Sequence, residues 1–433
     1  MAEKTVVYWV SRALRTVENP ALIHAQKLAL EHGLDLVVVF NLYPDFPYAN
    51  LRNMDFLLQG LVEMSRKLRK SNIPLVLMEG DAEENFLRLM ESRKIHSIIT
   101  EHQVLKPVLG AQDRVRARCA ERGISFRTIN TACVVPVEVA SPKLEYAAKT
   151  FRPKIMGMYR DYLQAIPEVV PHPQQIQMDV FDETHYHALI AKHTGWHTLS
   201  KSTMVPGEDA ALRQLDTFIR ESLANFDRRN EIDANGQSKL SPYLHFGMIS
   251  PVKMIRDVEA SGHPNAELFV EEAMVRRELA ENYCHYCKDY DTLDGAWGWA
   301  KATLEQHRED PRDYFYTFEE FRDAKTHDKL WNHCQKQVVE TGYLHSYLRM
   351  YWAKMVLLWS KDARQAVDTL IKFNDTYFLD GRDPNGYTGI LWSVAAVHDR
   401  PWFDKPVHGL IRAMGSEGTL RKTKLKLDEE KTV

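Results

Sequence analysis

Short apolar runs alternate with amphipathic stretches along residues 1–135 of the chain. The apolar runs have the length and β-branched content of strands in a parallel sheet that is covered on both faces. They read TVVYWV from Thr5, DLVVVFNLY from Asp35, PLVLMEG from Pro74, HSIITEH from His96 and SFRTINTACVV from Ser125. The stretches between them, such as ALIHAQKLALEHG, have helical periodicity. This alternation predicts a doubly wound α/β domain, in which ligands bind at the carboxyl ends of the strands.

The pattern changes after this first domain. Residues 136–206 are rich in proline and in polar clusters such as HPQQIQ, which predicts a long inter-domain linker with short helices. From residue 207 to residue 433 almost every segment has helical periodicity, so we expect a second domain that is all α-helical. Two domains also agree with the length of 433 residues, because single cores rarely grow beyond about 300 residues.

Composition narrows the class of protein. The chain is 44% hydrophobic and 27% charged, which is typical of a globular protein. It has no run of about 18 apolar residues, so no transmembrane helix is predicted. Its first residues lack the pattern of a secretion signal, and its five scattered cysteines favour free thiols in a reducing compartment. We therefore expect a cytoplasmic protein without a membrane partner.

The net charge of −3 argues against a nucleic-acid partner until the distribution of charge is considered. Residues 398–426 carry seven cations against three anions, a local positive excess on an otherwise acidic chain. The cations are Arg400, Lys405, Arg412, Arg421, Lys422, Lys424 and Lys426, and the anions are Asp399, Asp404 and Glu417. A solvated tail and a nucleic-acid contact both agree with this pattern.

The segment GQSKLSPYLHFGMIS, from Gly236 to Ser250, has the most specific local pattern of the chain. It places Ser238 and Ser241 just before a helix that Pro242 opens at its first turn. Backbone N–H groups at such a helix start suit a phosphate or pyrophosphate, although a capped helix without a ligand explains so short a pattern more simply. Neither of the phosphate-loop patterns GxGxxG and GxxxxGKS occurs in the first domain.

Two further patterns are ambiguous from spacing alone. Trp352 and Trp359 are about two helical turns apart and so share one helix face, a spacing that usually reflects core packing. Cys284 and Cys287 form a C-x-x-C pair, but no second ligand pair follows at zinc-finger spacing. The sequence therefore predicts no metal site.

Four segments, taken in order, resemble the photolyase/cryptochrome family. They are VVYWVSRALRTVENPAL with Arg12, Arg15 and Asn19-Pro20, then GQSKLSPYLHFG, then HSYLRMYWAKM from His345, then FNDTYFLDGRDPNGYTGILWS from Phe373. The fourth is similar to the class II branch of that family, whose members read LDGRDPNGY. The resemblance spans nearly the whole chain. It implies an antenna-type α/β domain over residues 1–135 and a helical domain over 207–433 that binds flavin adenine dinucleotide (FAD) and DNA.

By resemblance, the FAD acts in its reduced form, FADH−. Asn374 is implied to face flavin N5, and an Arg349–Asp380 ion pair is implied to lie against the isoalloxazine ring. The implied cofactor-binding residues are Phe226, Ser238, Lys239, Leu240, Ser241, Arg277, Arg349, Asn374, Asp380 and Gly381. Phe226 stands where the family more often has tyrosine, which removes one polar contact. Trp352, followed by Trp331 and then Trp359, is similar to the family's electron-hopping chain.

The resemblance also implies the reaction. FADH− would pass an electron to a flipped-out cyclobutane pyrimidine dimer in UV-damaged DNA, the ring would open, and the electron would return. The implied substrate and DNA contacts are Glu272 on the dimer, Met350 and Trp392 along the pocket, and Arg400, Trp402 and Arg412 on the DNA. We expect a monomeric lyase, associated with the nucleoid if the source is prokaryotic. A deazaflavin or folate antenna would bind the first domain, unless that site is empty.

Two other functions remain open at this point. A cryptochrome-like blue-light photoreceptor would share the cofactor and the fold, and a nucleotide-binding adaptor would use the α/β domain without photochemistry. Glu272, the basic segment and the short stretch after LDGRDPNGY favour the repair enzyme over the photoreceptor.

Overall fold

The computed structural model describes residues 4–173 and 177–427. The chain forms two compact units, each assembled from three segments. The first unit contains Met1–Pro136, Gly157–Asp216 and Lys239–Ala260, and the second contains Val137–Met156, Thr217–Ser238 and Ser261–Val433. Residues predicted as a linker thus contribute structure to both units. The functional boundaries at residues 135 and 207 stay a prediction.

The first unit is built around a five-stranded parallel sheet in the order β3-β2-β1-β4-β5. The strands are β1 Thr5–Val10, β2 Asp35–Leu42, β3 Leu75–Glu79, β4 Ile95–Glu101 and β5 Ser125–Ile129. Every residue of β1 and β2 is buried, as expected for strands with helices on both faces. The prediction of a doubly wound α/β domain is therefore confirmed.

The edge strand β5 differs from the prediction in two ways. It ends at Ile129 instead of running to residue 135. The side chain of Asn130 turns the chain there, because its Oδ1 accepts from Cys133 N at 3.2 Å and its Nδ2 donates to Cys133 O at 2.8 Å. The strand is also half-exposed, since it pairs with β4 on one side only. Burial on both faces was the wrong expectation for this strand.

The helices account for most of the remaining ordered chain, as the sequence predicted. In chain order they are α1 Pro20–His32, α2 Leu51–Arg69, α3 Ala82–Ser92, α4 Lys106–Glu121, α5 Val137–Ala140, α6 Ala148–Met156, α7 Glu183–Lys192, α8 Glu208–Thr217, α9 Ser241–His245, α10 Pro251–Ala260, α11 Ala266–Val270, α12 Arg277–Tyr286, α13 Gly298–Gln306, α14 Phe318–Arg322, α15 Lys329–Thr341, α16 Ser346–Trp359, α17 Ala363–Tyr377, α18 Pro384–Ala395 and α19 Ser416–Thr423. Short 3-10 turns cover Tyr159–Tyr162, Thr194–Trp196, Leu223–Arg228 and Leu293–Gly295, and π-helical turns cover Phe218–Ser222 and Glu271–Arg276.

Three consecutive helices of the second unit, α16, α17 and α18, pack on one another and carry many of the predicted site residues. Each begins at a residue whose side chain accepts a hydrogen bond from the first turn. These caps are His345 for α16, Asp362 for α17 and Asp383 for α18. Pro384 at the first turn of α18 and Ala396 in the left-handed conformation at its end fix the length of that helix.

No helix within the described part of the chain is both long and apolar enough to cross a membrane.

Candidate active site

Arg349 on α16 organises a polar cluster in the second unit. Its Nη1 donates to Asp380 Oδ1 at 3.0 Å, and its Nη2 donates to Asn374 Oδ1. Its guanidinium carbon lies 3.7 Å from the centre of the Phe378 ring. The side chains of Arg349 and Asp380 keep 27% and 17% of their surface exposed, so the pair is partly buried. Asn374 is buried beneath it.

A second carboxylate, which the sequence did not single out, fixes the orientation of Asn374. Asp375 is buried, and its Oδ1 accepts from Asn374 Nδ2 and from Arg382 N, both at 2.8 Å. Its Oδ2 accepts from the Tyr387 hydroxyl at 2.9 Å. Burial and the neighbouring Asp375 charge raise the pKa of Tyr387, so this hydroxyl keeps its proton and remains a donor. The amide of Asn374 is therefore locked between a cation and an anion.

Two glycines of the segment LDGRDPNGY approach Asn374 too closely for any side chain. A Cβ on Gly381 would lie 2.4 Å from Asn374 O, and a Cβ on Gly386 would lie 2.8 Å from Asn374 Nδ2. Glycine is the residue that permits such a close approach. The glycines of this segment, which is similar to the class II branch, therefore let the turn after α17 pack against Asn374.

The polar cluster fits one edge of a flavin ring by its donor set. An isoalloxazine edge offers carbonyl oxygens, which accept hydrogen bonds, and N3–H, which donates one; N5 accepts in the oxidised flavin and donates as N5–H in FADH−. Arg349 carries N–H donors, Asp380 carries acceptor oxygens and the Asn374 amide carries both, and all three are already joined by hydrogen bonds within the cluster. The Arg349–Asp380 pair is partly exposed, whereas Asn374 is buried, so a bound ring would contact the ion pair first.

Three tryptophans form a continuous aromatic path in the same unit, and all are buried. The rings of Trp331 and Trp352 are nearly parallel, 9° apart, with centres 6.4 Å from one another. Trp331 also contacts Trp359 edge-on, with centres 6.1 Å apart. Trp331 Nε1 donates to Trp352 O at 2.9 Å, and Trp352 Nε1 donates to Gln335 Oε1 at 2.9 Å. Trp331 on α15 therefore bridges two tryptophans of α16 that spacing alone would assign to ordinary packing.

Lys354 on α16 is an unpredicted buried cation beneath Trp392. Its Nζ donates to Ser393 O at 3.0 Å and lies 4.5 Å from the centre of the Trp392 ring. Burial lowers the pKa of Lys354 to about 7, Asp399 opposes that shift, and Arg412 adds to it. Trp392 is half-buried, as is Met350 on α16.

The low pKa of Lys354 should make the difference in unfolding free energy between the wild type and Lys354→Met depend on pH. Between about pH 7 and 10 the unfolded chain binds a proton on Lys354 that the folded protein does not, so folding of the wild type gains stability as pH rises. Relative to Lys354→Met, the wild type should gain up to about 1.4 kcal/mol of unfolding free energy per pH unit in that window. Urea unfolding at stepped pH measures it. The exposed Lys361→Met is the control for the loss of one lysine charge, and a pH-independent difference for Lys354→Met would contradict the assignment.

Glu272, the predicted acid, lies exposed on the π-helical turn Glu271–Arg276. Arg229 Nη2 donates to Glu272 Oε1 at 2.8 Å, and the Arg229 guanidinium carbon lies 4.8 Å from the centre of the Phe226 ring. Phe226 is itself buried, edge-on against Phe269. The structure thus joins two predicted residues, Glu272 and Phe226, through an arginine that the sequence reasoning missed. No pattern in the sequence marked Arg229, because it acts across a separation of 43 residues.

Of the remaining predicted cofactor residues, four lie in the segment 238–241 and one, Arg277, begins α12. Arg277 is buried at the start of α12, with Nη2 4.0 Å from Glu281 Oε1. Ser238 is half-buried and belongs to the second unit. In the first unit, Lys239 has a positive φ of 55°, Leu240 is the cap residue of α9, and Ser241 is its exposed first residue. The cap residue is apolar, so the start of α9 has no capping side chain.

The predicted DNA contacts meet around one aromatic ring. The guanidinium carbons of Arg400 and Arg412 lie 4.9 Å and 4.7 Å from the centre of the Trp402 ring. Trp402 Nε1 also donates to Asp399 Oδ2 at 3.3 Å. Two cations are thus held together on a half-exposed surface of the second unit.

Comparison with known proteins connects these features to a family. The family model described as DNA photolyase matches residues 6–173. A deoxyribodipyrimidine photo-lyase of Arabidopsis thaliana is 37% identical over 430 residues, which cover 96% of this chain and 86% of that protein. One from Potorous tridactylus is 38% identical over 426 residues, which cover 96% and 79% of the two chains.

Among solved structures, a Synechocystis cryptochrome shares the fold with a TM-score of 0.75 at 16% identity, over 92% of this chain and 84% of that one. The two sequence relatives are matched over most of their length and at well above 30% identity. The chain therefore belongs to the photolyase/cryptochrome family.

Proposed function

We propose that the protein is a class II photolyase, a lyase that uses light to split cyclobutane pyrimidine dimers in UV-damaged DNA. The observation that carries this proposal is the unbroken contact of Trp359, Trp331 and Trp352, which ends one helical turn from Arg349 on α16. The name deoxyribodipyrimidine photo-lyase, borne by relatives that match nearly the whole chain, supports the same conclusion. So does the segment LDGRDPNGY, whose glycines let the turn after α17 pack against Asn374.

Arg349, Asp380 and Asn374 would hold the edge of the flavin ring, and Phe226, Gly381 and Arg277 would complete the binding residues. When bound and reduced, FAD supplies the electron that opens the cyclobutane ring. Two contacts would keep these polar groups in position for the flavin. Asp375 accepts a hydrogen bond from the Asn374 amide, and the Phe378 ring packs against the Arg349 guanidinium. The role of Ser238, Lys239, Leu240 and Ser241 in holding the pyrophosphate stays a prediction from resemblance.

The tryptophans would deliver electrons to the cofactor in the order Trp359, Trp331, Trp352. This order is supported by ring contacts, because Trp331 touches both of the others. Burial of all three rings keeps water away from the path.

In the first unit, we propose that an antenna chromophore, a deazaflavin or a folate, binds at the carboxyl ends of the strands. Two side chains there form a buried polar pair. The Tyr8 hydroxyl on β1 donates to Glu101 Oε1 at 2.5 Å on β4, and Ser11 N donates to Glu101 Oε2 at 2.8 Å. Burial raises the pKa of Glu101, while its hydrogen bonds with Ser11 and Tyr8 oppose that shift. These polar groups lie toward the carboxyl ends of β1 and β4, which is where a doubly wound domain binds its ligand.

Glu272 is the residue through which the substrate assignment is tested. Its exposed carboxylate forms an ion pair with Arg229 and would accept a hydrogen bond from the extruded dimer. Glu272→Gln should lower the yield of repaired dimers by about tenfold, the cost of one charged hydrogen bond, while the flavin content stays unchanged. Repair is measured with an oligonucleotide whose dimer lies in a restriction site, because the restriction enzyme cuts the site only after the dimer has been split.

Glu267→Gln serves as the matched control, because Glu267 is exposed on the neighbouring helix α11. It should repair as the wild type does. If Glu272→Gln repairs at the wild-type yield, the assignment of Glu272 to the dimer is wrong.

A further inference from the structure

Lys354 on α16 is a buried cation that the proposed reaction has not used so far. Its side chain is fully buried, and its Nζ donates to Ser393 O at 3.0 Å. The same nitrogen lies 4.5 Å from the centre of the Trp392 ring. Burying an ammonium group costs stability, and a carbonyl and an aromatic ring compensate that cost less than a carboxylate would. A residue of this kind calls for a functional explanation.

The position of Lys354 on α16 relates it to the predicted substrate pocket. Met350 lies four residues earlier, so the two side chains share one face of the helix. Helix α18 packs on α16 and places Trp392 over Lys354. The first turn of α18 also approaches Asn374, because a Cβ on Gly386 would lie 2.8 Å from Asn374 Nδ2. Lys354 therefore lies where two helices bring the predicted pocket residues next to the candidate flavin site.

Lys354 and the substrate side of Trp392 are on different parts of the ring. Trp392 is half-buried, whereas Lys354 is completely buried. The part of the indole that a substrate can reach is therefore not the part that the ammonium group covers. A positive charge in such a dry environment acts over several ångströms, because little water screens it. Its field extends through the ring to whatever contacts the open side.

Three charged or titratable groups around Lys354 influence its ammonium group. Asp399 favours the charged form, whereas Arg412 disfavours it. His408 is buried, and burial lowers its pKa to about 4, so it is neutral at higher pH. Burial likewise lowers the pKa of Lys354 to about 7. The Lys354 charge is therefore lost within an experimentally accessible range of pH.

We propose that the Lys354 ammonium group, acting through Trp392, stabilises the negative charge that develops on the cyclobutane dimer when it accepts an electron. The inference rests on the proposed function. The electron comes from the reduced flavin, stays on the dimer while the ring opens, and then returns, so Lys354 exchanges neither an electron nor a proton. A cation that is fixed behind the pocket wall needs no reorganisation when the charge appears. Lys354 is thus a positioning residue that contacts Trp392 and acts on the dimer through it.

The pH profile of electron transfer in the wild type tests this proposal. The reduced, flavin-loaded protein is saturated with a single-stranded oligonucleotide that contains one dimer. The fluorescence lifetime of the excited flavin then reports the rate of electron transfer. Bound DNA and reduced flavin add negative charge, which raises the pKa of Lys354, so its proton should be lost between about pH 7 and 10. The rate should fall by about fivefold across that range, as one screened charge is removed.

Two substitutions separate the charge of Lys354 from its role in packing. Lys354→Arg keeps a cation at every pH, so its transfer rate should stay high and should not depend on pH. Lys354→Met fills similar space without charge, so its rate should be low and equally independent of pH. Both variants should bind the oligonucleotide as tightly as the wild type does, because Lys354 does not contact DNA. The wild-type pH profile needs no variant and decides the question even if a substitution prevents folding.

Lys372→Met is the matched control. Lys372 is an exposed residue of α17 whose Nζ lies 4.2 Å from the centre of the Phe318 ring. Its removal deletes a similar cation–ring contact and should leave the wild-type rate and pH profile unchanged. The inference is overturned if the wild-type rate is constant across this range of pH, or if Lys354→Arg is as slow as Lys354→Met. Absence of light-dependent repair by the reduced wild type at every pH would overturn the proposed function itself.

Discussion

Replacing Trp352 with phenylalanine is expected to abolish light-driven reduction of the bound flavin while leaving repair by chemically reduced protein nearly unchanged. Trp352 is the end of the aromatic path that lies one helical turn from Arg349 on α16, and its ring stacks on Trp331. Phenylalanine fills most of the space but is far harder to oxidise. The bleaching of oxidised flavin absorbance under blue light, with an external electron donor, measures the effect.

The control for this prediction is Trp299→Phe. Trp299 is a tryptophan of the same unit whose indole N–H donates to the Tyr146 hydroxyl, away from the path of three rings. It should photoreduce as the wild type does. If Trp352→Phe loses both photoreduction and repair, the ring is needed for packing. That result would contradict the proposed electron path.

Replacing Arg349 with methionine is expected to weaken flavin binding. Arg349 bonds both Asp380 and Asn374, so its removal leaves a half-buried carboxylate without its cation and the amide without its donor. Losing a charge-assisted hydrogen bond costs about 1.5–3 kcal/mol, which is roughly ten- to a hundredfold in affinity. The flavin-to-protein absorbance ratio after purification and the dissociation constant for added FAD report the change.

Arg364→Met provides the comparison, because Arg364 pairs with Asp294 on an exposed surface, where ion pairs contribute little. It should retain flavin fully. Wild-type flavin content in Arg349→Met would contradict the assignment of this cluster to the cofactor.

Elements with strong local signals could be predicted from the sequence. The strand Thr5–Val10 was predicted to the residue, because continuous β-branched runs have few alternative structures. The end of β5 was missed, since the side chain of Asn130 turns the chain inside an apolar stretch. The assignment of segments 157–216 and 239–260 to the first unit was also beyond reach, because it depends on packing between residues far apart in sequence.

The residues of the candidate site were likewise predicted only in part. The pair Arg349–Asp380 is present as the resemblance implied, while its role toward a flavin stays a prediction. Asp375, Arg229 and Lys354 were missed. Periodicity places a charged residue on a helix but does not identify its partner, and Lys354 reads as one more polar residue of an apolar helix. Its burial becomes visible only once α16 and α18 are packed together.

The central claim is tested most directly by incubating the fully reduced protein with an oligonucleotide that contains a cyclobutane pyrimidine dimer, in blue light and in darkness. We expect dimers to be restored to pyrimidines in the light only, with the flavin still reduced at the end, because the electron returns after each cycle. Flavin photochemistry without loss of dimers would point to a photoreceptor. Equal dimer counts in light and darkness would contradict the account.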